Sequence, residues 1–220
     1  MCVGKCSRFV GLSLLVLSVL SVIVSLFLLF PNCDGSYLWE GHIGKDYIMG
    51  FSAVCLGGVL VLLTGIQTTL TGYKVKCLSC CGPRCSMLFS FSLCNLATVG
   101  ALASLTFSTI ILQEGPRCFY KPGANASEEW GYPFGGISVE NSTDVQLFDT
   151  AAWYSVCIEP PNIVPWFACL GTCLFIMSLM EVILCFSQLI NSCFGMCCGL
   201  CDPKEKGTSA TERKSVSAPV

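Results

Sequence analysis

The sequence predicts an all-α membrane protein: a bundle of four transmembrane helices with a small first outer loop and a large, disulfide-closed second one. Three observations predict it. Four apolar blocks stand out, each at least as long as the ~20 residues a helix needs to cross ~30 Å of hydrocarbon. Only 12% of the 220 residues are charged, roughly half the share usual for a soluble domain, and mean hydropathy is +0.69. The blocks also lack the period-two alternation of a barrel strand, and helices and closed barrels are the only structures that satisfy backbone groups in lipid.

Taken in order, residues 1–8 form a short N-terminal segment carrying Lys5 and Arg8. The first span, 9–30, has no charge. Its basic start also suits a cleaved signal peptide, but the apolar run is too long and Pro31-Asn32-Cys33 is a poor cleavage site. A short outer loop, 31–46, leads to the second span, 47–73. Residues 74–85 are a cysteine-rich inner loop, 86–112 the third span and 113–163 the large outer loop. The fourth span is 164–190 and the inner tail 191–220. From about residue 202 the tail is rich in Lys, Glu, Ser and Thr without apolar pattern, and reads as disordered. Its Ser217-Ala218-Pro219-Val220 end reads either as plain flexible tail or as a target for C-terminal capture.

Charge sets the orientation. Lys5, Arg8, Lys74, Lys76, Arg84, Lys204, Lys206, Arg213 and Lys214, nine of the twelve basic residues, fall on one side of a four-span thread. The positive-inside rule makes that side the cytosol and puts both termini there. Only Lys45, Arg117 and Lys121 fall opposite, among ten acids. Two N-glycosylation sequons, Asn125-Ala126-Ser127 and Asn141-Ser142-Thr143, lie in the large loop on that same opposite side. Tyr37, Trp39, Tyr47, Tyr73 and Trp166 near span ends suit an interfacial aromatic belt.

This topology sorts the eighteen cysteines. Cys33, Cys118 and Cys157 face the oxidising side, where Cys118 and Cys157, both close to the membrane, are expected to close the large loop. Cys33 is left over, either unpaired, modified, intermolecular or displacing one of that pair. Cys55, Cys94, Cys169, Cys173 and Cys185 lie in spans. Ten more, Cys2, Cys6, Cys77, Cys80, Cys81, Cys85, Cys193, Cys197, Cys198 and Cys201, gather at the cytosolic helix ends. They are S-palmitoylation candidates, as juxtamembrane thiols in a reducing compartment. Zinc is the rival, but the spacing lacks the paired C-x2-C pattern with its 15–20 residue gap, and clusters at all three boundaries favour lipid. Unmodified packing is the third reading.

Glu181 is the only full charge inside a span, and such an acid is by default a functional hypothesis. Counted inward from the cytosolic span ends, Asn95 lies about nine residues deep and Glu181 about ten, which places them level at 1.5 Å per residue. The expectation is that they face one another and hydrogen-bond, with the acid neutral and Gln67 of the second span joining the layer. Such a layer is either interhelical glue worth ~0.6–2 kcal/mol or a proton or ligand site. A lone acid without basic partners makes a poor relay. Small residues, including Ser18, Ser21 and Ser25 on the first span, Gly57 and Gly58 on the second, and Ala97, Gly100, Ala101 and Ser104 on the third, support close helix contacts.

Several ordered strings resemble the transmembrane 4 L six family. They are Met1-Cys2-Val3-Gly4-Lys5-Cys6, Cys80-Cys81-Gly82, Glu114-Gly115-Pro116-Arg117-Cys118 and Trp130-Gly131-Tyr132-Pro133-Phe134. Trp153 through Cys157-Ile158-Glu159-Pro160, Val164-Pro165-Trp166, Glu181-Val182-Ile183-Leu184-Cys185 and Gln188-Leu189-Ile190-Asn191 complete the set, so the resemblance runs to about Cys201. It implies a non-catalytic surface protein, at the plasma membrane or an endolysosomal membrane. Lateral association with tetraspanins, integrins or growth-factor receptors is implied, with links to adhesion, motility and proliferation. Tetraspanins share the layout but carry their Cys-Cys-Gly in the large outer loop, and claudins put the large loop first.

Enzyme chemistry finds no foothold. His42 is the one histidine, no cysteine has a histidine nearby in sequence, and no glycine loop suited to phosphate precedes a cytosolic helix. No cofactor is expected, and the absence of a basic domain argues against nucleic acid. The expected function is a membrane organiser that packs laterally among lipids and other membrane proteins, with a homo-oligomer allowed. The alternatives are a transport or ligand-sensing protein using Glu181, Asn95 and Gln67, or an accessory subunit of a membrane complex.

Overall fold

The structure is a computed structural model and describes residues 3–31, 34–39, 45–72, 83–122, 127–134, 147, 150 and 153–199, with backbone alone at some helix ends. Four long helices dominate: α1 (Val3–Leu29), α3 (Lys45–Gly72), α4 (Pro83–Glu114) and α5 (Ile163–Gly199). A one-turn helix, α2 (Ser36–Trp39), follows α1. Each long helix carries a candidate span, Ser7–Leu29, Ile48–Leu70, Leu88–Glu114 and Ile163–Phe194. They exist as helices because lipid offers the backbone no other hydrogen-bond partner.

The helices neighbour one another in the cyclic order α1, α3, α4, α5 and back to α1. Each runs antiparallel to the next. Glycines decide how closely they approach. A methyl on Gly11 would lie 2.8 Å from the backbone nitrogen of Thr69, and one on Gly65 3.1 Å from that of Leu15. The α1–α3 crossing therefore runs backbone against backbone. Gly57 and Gly100 do the same for α3 and α4. Small residues let helices meet where lipid supplies no hydrophobic drive for association. Large apolar side chains then divide by face. Leu14, Val61, Ala97, Ala101 and Cys185 are buried in one internal cluster, while Phe9, Leu56, Val99 and Ile176 point outward.

A small antiparallel sheet caps one end, in the order β2 (Glu129–Gly131), β1 (Cys118–Tyr120), β3 (Cys157–Glu159). Gly115 makes the turn from α4 to β1. Its φ is +72° and its N–H caps the Ile111 carbonyl at 2.9 Å, the left-handed helix ending that glycine permits. Phe119 pairs with Trp130 across β1 and β2, their ring centroids 5.7 Å apart, and Tyr37 of α2 stands 6.3 Å from the same indole. The sheet thus holds the first loop as well as its own strands. Beneath it Cys118, Leu147, Ile163, Val164 and Ala168 form a second buried cluster that seals this end of the bundle.

Candidate functional site

Polar side chains join every pair of neighbouring helices. Ser7 Oγ donates to the Thr68 carbonyl at 3.3 Å, linking α1 to α3. Thr64 Oγ1 reaches the Leu93 carbonyl at 3.1 Å, linking α3 to α4. Ser104 and Ser178 share a 2.9 Å bond between α4 and α5. The ring closes between α5 and α1, where Ser21 Oγ donates to Glu181 Oε1 at 2.8 Å and Trp166 Nε1–H to the Phe27 carbonyl at 3.2 Å.

The Ser21–Glu181 bond lies at mid-depth. Glu181 is about three residues from the centre of its span and Ser21 three from the centre of its own, about 4–5 Å each. Because Ser178 pairs with Ser104, the antiparallel count puts Glu181 level with Ala101, beside the Gly57–Gly100 contact. Glu181 is 1% exposed and Ser21 equally so. A carboxyl sealed from water in hydrocarbon needs a polar neighbour, and Ser21 supplies it.

The expected Asn95–Glu181 pair is not formed. Asn95 is exposed on the outer face of α4, and its Nδ2 donates to the Phe91 carbonyl one turn back, at 2.9 Å. Two assumptions fail here. Counting inward takes the apolar blocks to end in one plane, whereas α5 continues well past Ile190 to Gly199. Depth also says nothing of direction: Asn95 lies about 200° around the helix from Ala97, which is fully buried. Gln67 is half-buried on α3. The partner that sequence reasoning misses is Ser21, which reads there only as a small packing residue. Its signal is the Ser18, Ser21, Ser25 stripe on the first helix; all three are buried.

A disulfide joins Cys118 to Cys157. It ties the first strand after α4 to the last strand before α5, close to both helices. Tyr154 and Trp39 stand well exposed at this end, Trp39 at 88%. At the opposite end Cys6 and Cys85 fall in the first turns of α1 and α4, and Cys193, Cys197 and Cys198 in the last turns of α5, with Cys193 exposed. Cys2, Cys33, Cys77, Cys80, Cys81 and Cys201 lie outside the described residues, as do Asn125 and Asn141. Among the described residues no group of three or more His, Cys, Asp or Glu side chains is placed to hold a metal ion.

Comparison with known proteins agrees with this architecture. Residues 1–202 match the family model described as L6 membrane protein. The chain is 35% identical over 204 residues to mouse Transmembrane 4 L6 family member 19, covering 91% of this chain and 95% of that one. It is 36% identical over 211 residues to human family member 5 (93% and 98% covered) and 35% over 206 residues to human family member 1 (91% and 96%). No solved structure matches. Four apolar helices, a disulfide-closed sheet between the third and fourth spans, and near-full-length similarity to these relatives together make this chain a member of the L6 family of multi-pass membrane proteins.

Proposed function

We propose that this protein is a non-enzymatic membrane organiser: it packs laterally against receptors, integrins or tetraspanins and modulates adhesion, motility, proliferation or signalling. The observation that carries this reading is the ring of interhelical bonds. Glu181, the natural candidate for a transported proton or bound ligand, is engaged with Ser21 at the centre of the bundle and serves to close the ring. A polar group used in this way holds helices together.

The orientation follows the basic residues, with Lys5, Arg8, Lys74 and Lys76 in the cytosol and the sheet outside at the plasma membrane. Asn125 and Asn141 then carry glycans, and the cysteines at the opposite end carry palmitate, which concentrates the protein in lipid microdomains. Partner choice falls to the sheet with its exposed aromatics. The second reading, transport or ligand sensing, is favoured by one fact: an acid, Glu181, lies buried at mid-depth among the helices.

Proximity labelling in cells, comparing the intact protein with a version whose residues 119–156 are replaced, tests the leading reading. Loss of specific neighbours on replacement supports it. An unchanged neighbour set, together with a solute flux abolished by Glu181→Gln, would overturn it in favour of the second. Glycosidase shifts lost in Asn125→Gln and Asn141→Gln check the orientation.

A further inference from the structure

We infer that the outward face of α4 is a self-association surface: two copies of this chain pair along it with Asn95 facing Asn95. The inference deepens the organiser reading, on which it rests, by naming the helix face on which one lateral partner, a second copy, is seated.

Asn95 is six residues from the midpoint of its span, about 9 Å from the middle of the membrane and well inside a hydrocarbon core ~30 Å thick. Polar side chains at such depth almost always face the protein interior. Asn95 does not: it is exposed on the lipid side. One N–H of its amide goes to the Phe91 carbonyl. The other N–H and Oδ1 have no partner among the described residues. An amide with one donor and one acceptor left over is complementary to an identical amide across a two-fold axis, where each Oδ1 accepts from the other's Nδ2. That self-complementarity selects a second copy over an unrelated helix.

The rest of the face suits the same use. Leu88, Ser92, Asn95, Val99, Leu102 and Thr106 are all exposed and follow steps of four, three, four, three and four residues. This is the spacing that keeps one seam facing a partner helix through a shallow left-handed crossing. Asn95 is the one amide in this seam; the Thr106 hydroxyl is turned back to the Leu102 carbonyl of its own helix. An amide at one seam position is a device that fixes register and partner number.

The test uses the full-length protein in cell membranes, as energy transfer between two differently tagged populations at matched expression. Asn95→Leu should weaken self-association about 3- to 30-fold, and Asn95→Gln, which keeps the amide, should retain part of it. A photo-reactive side chain at Val99 should join two differently tagged copies, and the same group at Ile176, on the outer face of α5, should not. Full self-association in Asn95→Leu, or Val99 adducts made solely with other proteins or lipid, would overturn the inference. Neither outcome touches the organiser reading, which stands or falls on the loop-replacement labelling.

Discussion

Gly57 of α3 and Gly100 of α4 touch backbone to backbone: a methyl on Gly57 would stand 2.6 Å from the Gly100 carbonyl oxygen, and one on Gly100 2.8 Å from the Gly57 Cα. Its neighbour Gly58 faces α1 instead, where a methyl would meet the Val22 side chain first, at 2.8 Å from Cγ2. A rotamer change relieves the second clash. Relief of the first requires separating two helices. Gly57→Ala should therefore destabilise the bundle by about 1–3 kcal/mol, while Gly58→Ala stays within about 1 kcal/mol of wild type. Thermal denaturation of the detergent-solubilised protein checks this, and equal losses would contradict the contact.

Ser21 and Glu181 should respond unequally to removal. Without Glu181, Ser21 can return its hydroxyl to its own helix, as Ser18 does to the Leu15 carbonyl and Ser25 to the Val22 carbonyl. Without Ser21 the buried acid loses the one partner it has among the described residues. Ser21→Ala should cost about 1–3 kcal/mol, Glu181→Leu less, and the double variant less than the sum of the two. Measured by unfolding in mixed micelles, strictly additive losses would show that the bond contributes nothing.

Cys118→Ser, Cys157→Ser and the double variant should be equally destabilised, since each removes the same bond. The chain-entropy model gives about 4 kcal/mol for a loop of this size, with 39 residues separating the two cysteines. Wild type should lose stability on reduction by roughly the same amount, and the variants should be indifferent to reductant. Continued reductant sensitivity in the double variant would point to a different stabilising bridge.

Gly115→Ala should loosen the seating of the sheet. The residue sits at φ +72°, and an added methyl would approach Phe134 Cβ to 2.8 Å. The expected loss is about 1–2 kcal/mol from the backbone conformation, plus displacement of Phe134. Increased protease cleavage between α4 and α5 in intact vesicles, relative to wild type, is the measurement; an unchanged cleavage rate would refute it.

The spans are legible in the sequence because lipid imposes length and composition on any helix that crosses it, and both can be counted. The residue content of Phe9–Phe30 or Val164–Ile190 leaves little else for those segments to be. The three-residue strands are not legible. Cys118–Tyr120 and Glu129–Gly131 are too short to show alternation, and they exist because the bundle end and the disulfide bring them side by side. The polar layer can be read in its chief member, Glu181, and is misread in its partner. Composition can say that an acid is buried. Which hydroxyl meets it depends on helix rotation and on how far α5 overruns its apolar block, and neither is written in hydropathy.

The bond between Cys118 and Cys157 has one more consequence. It fastens the chain three residues beyond Gly115, just past the end of α4, and six before Ile163, where α5 begins. The chain threaded between those two points is anchored at both ends by one covalent bond, and in its middle by Leu147, which is buried with Ile163, Val164 and Ala168 at the top of α5. A graft between the two cysteines therefore has to meet two demands at once: ends that stay within reach of the bond, and an apolar side chain that replaces Leu147 over the end of α5.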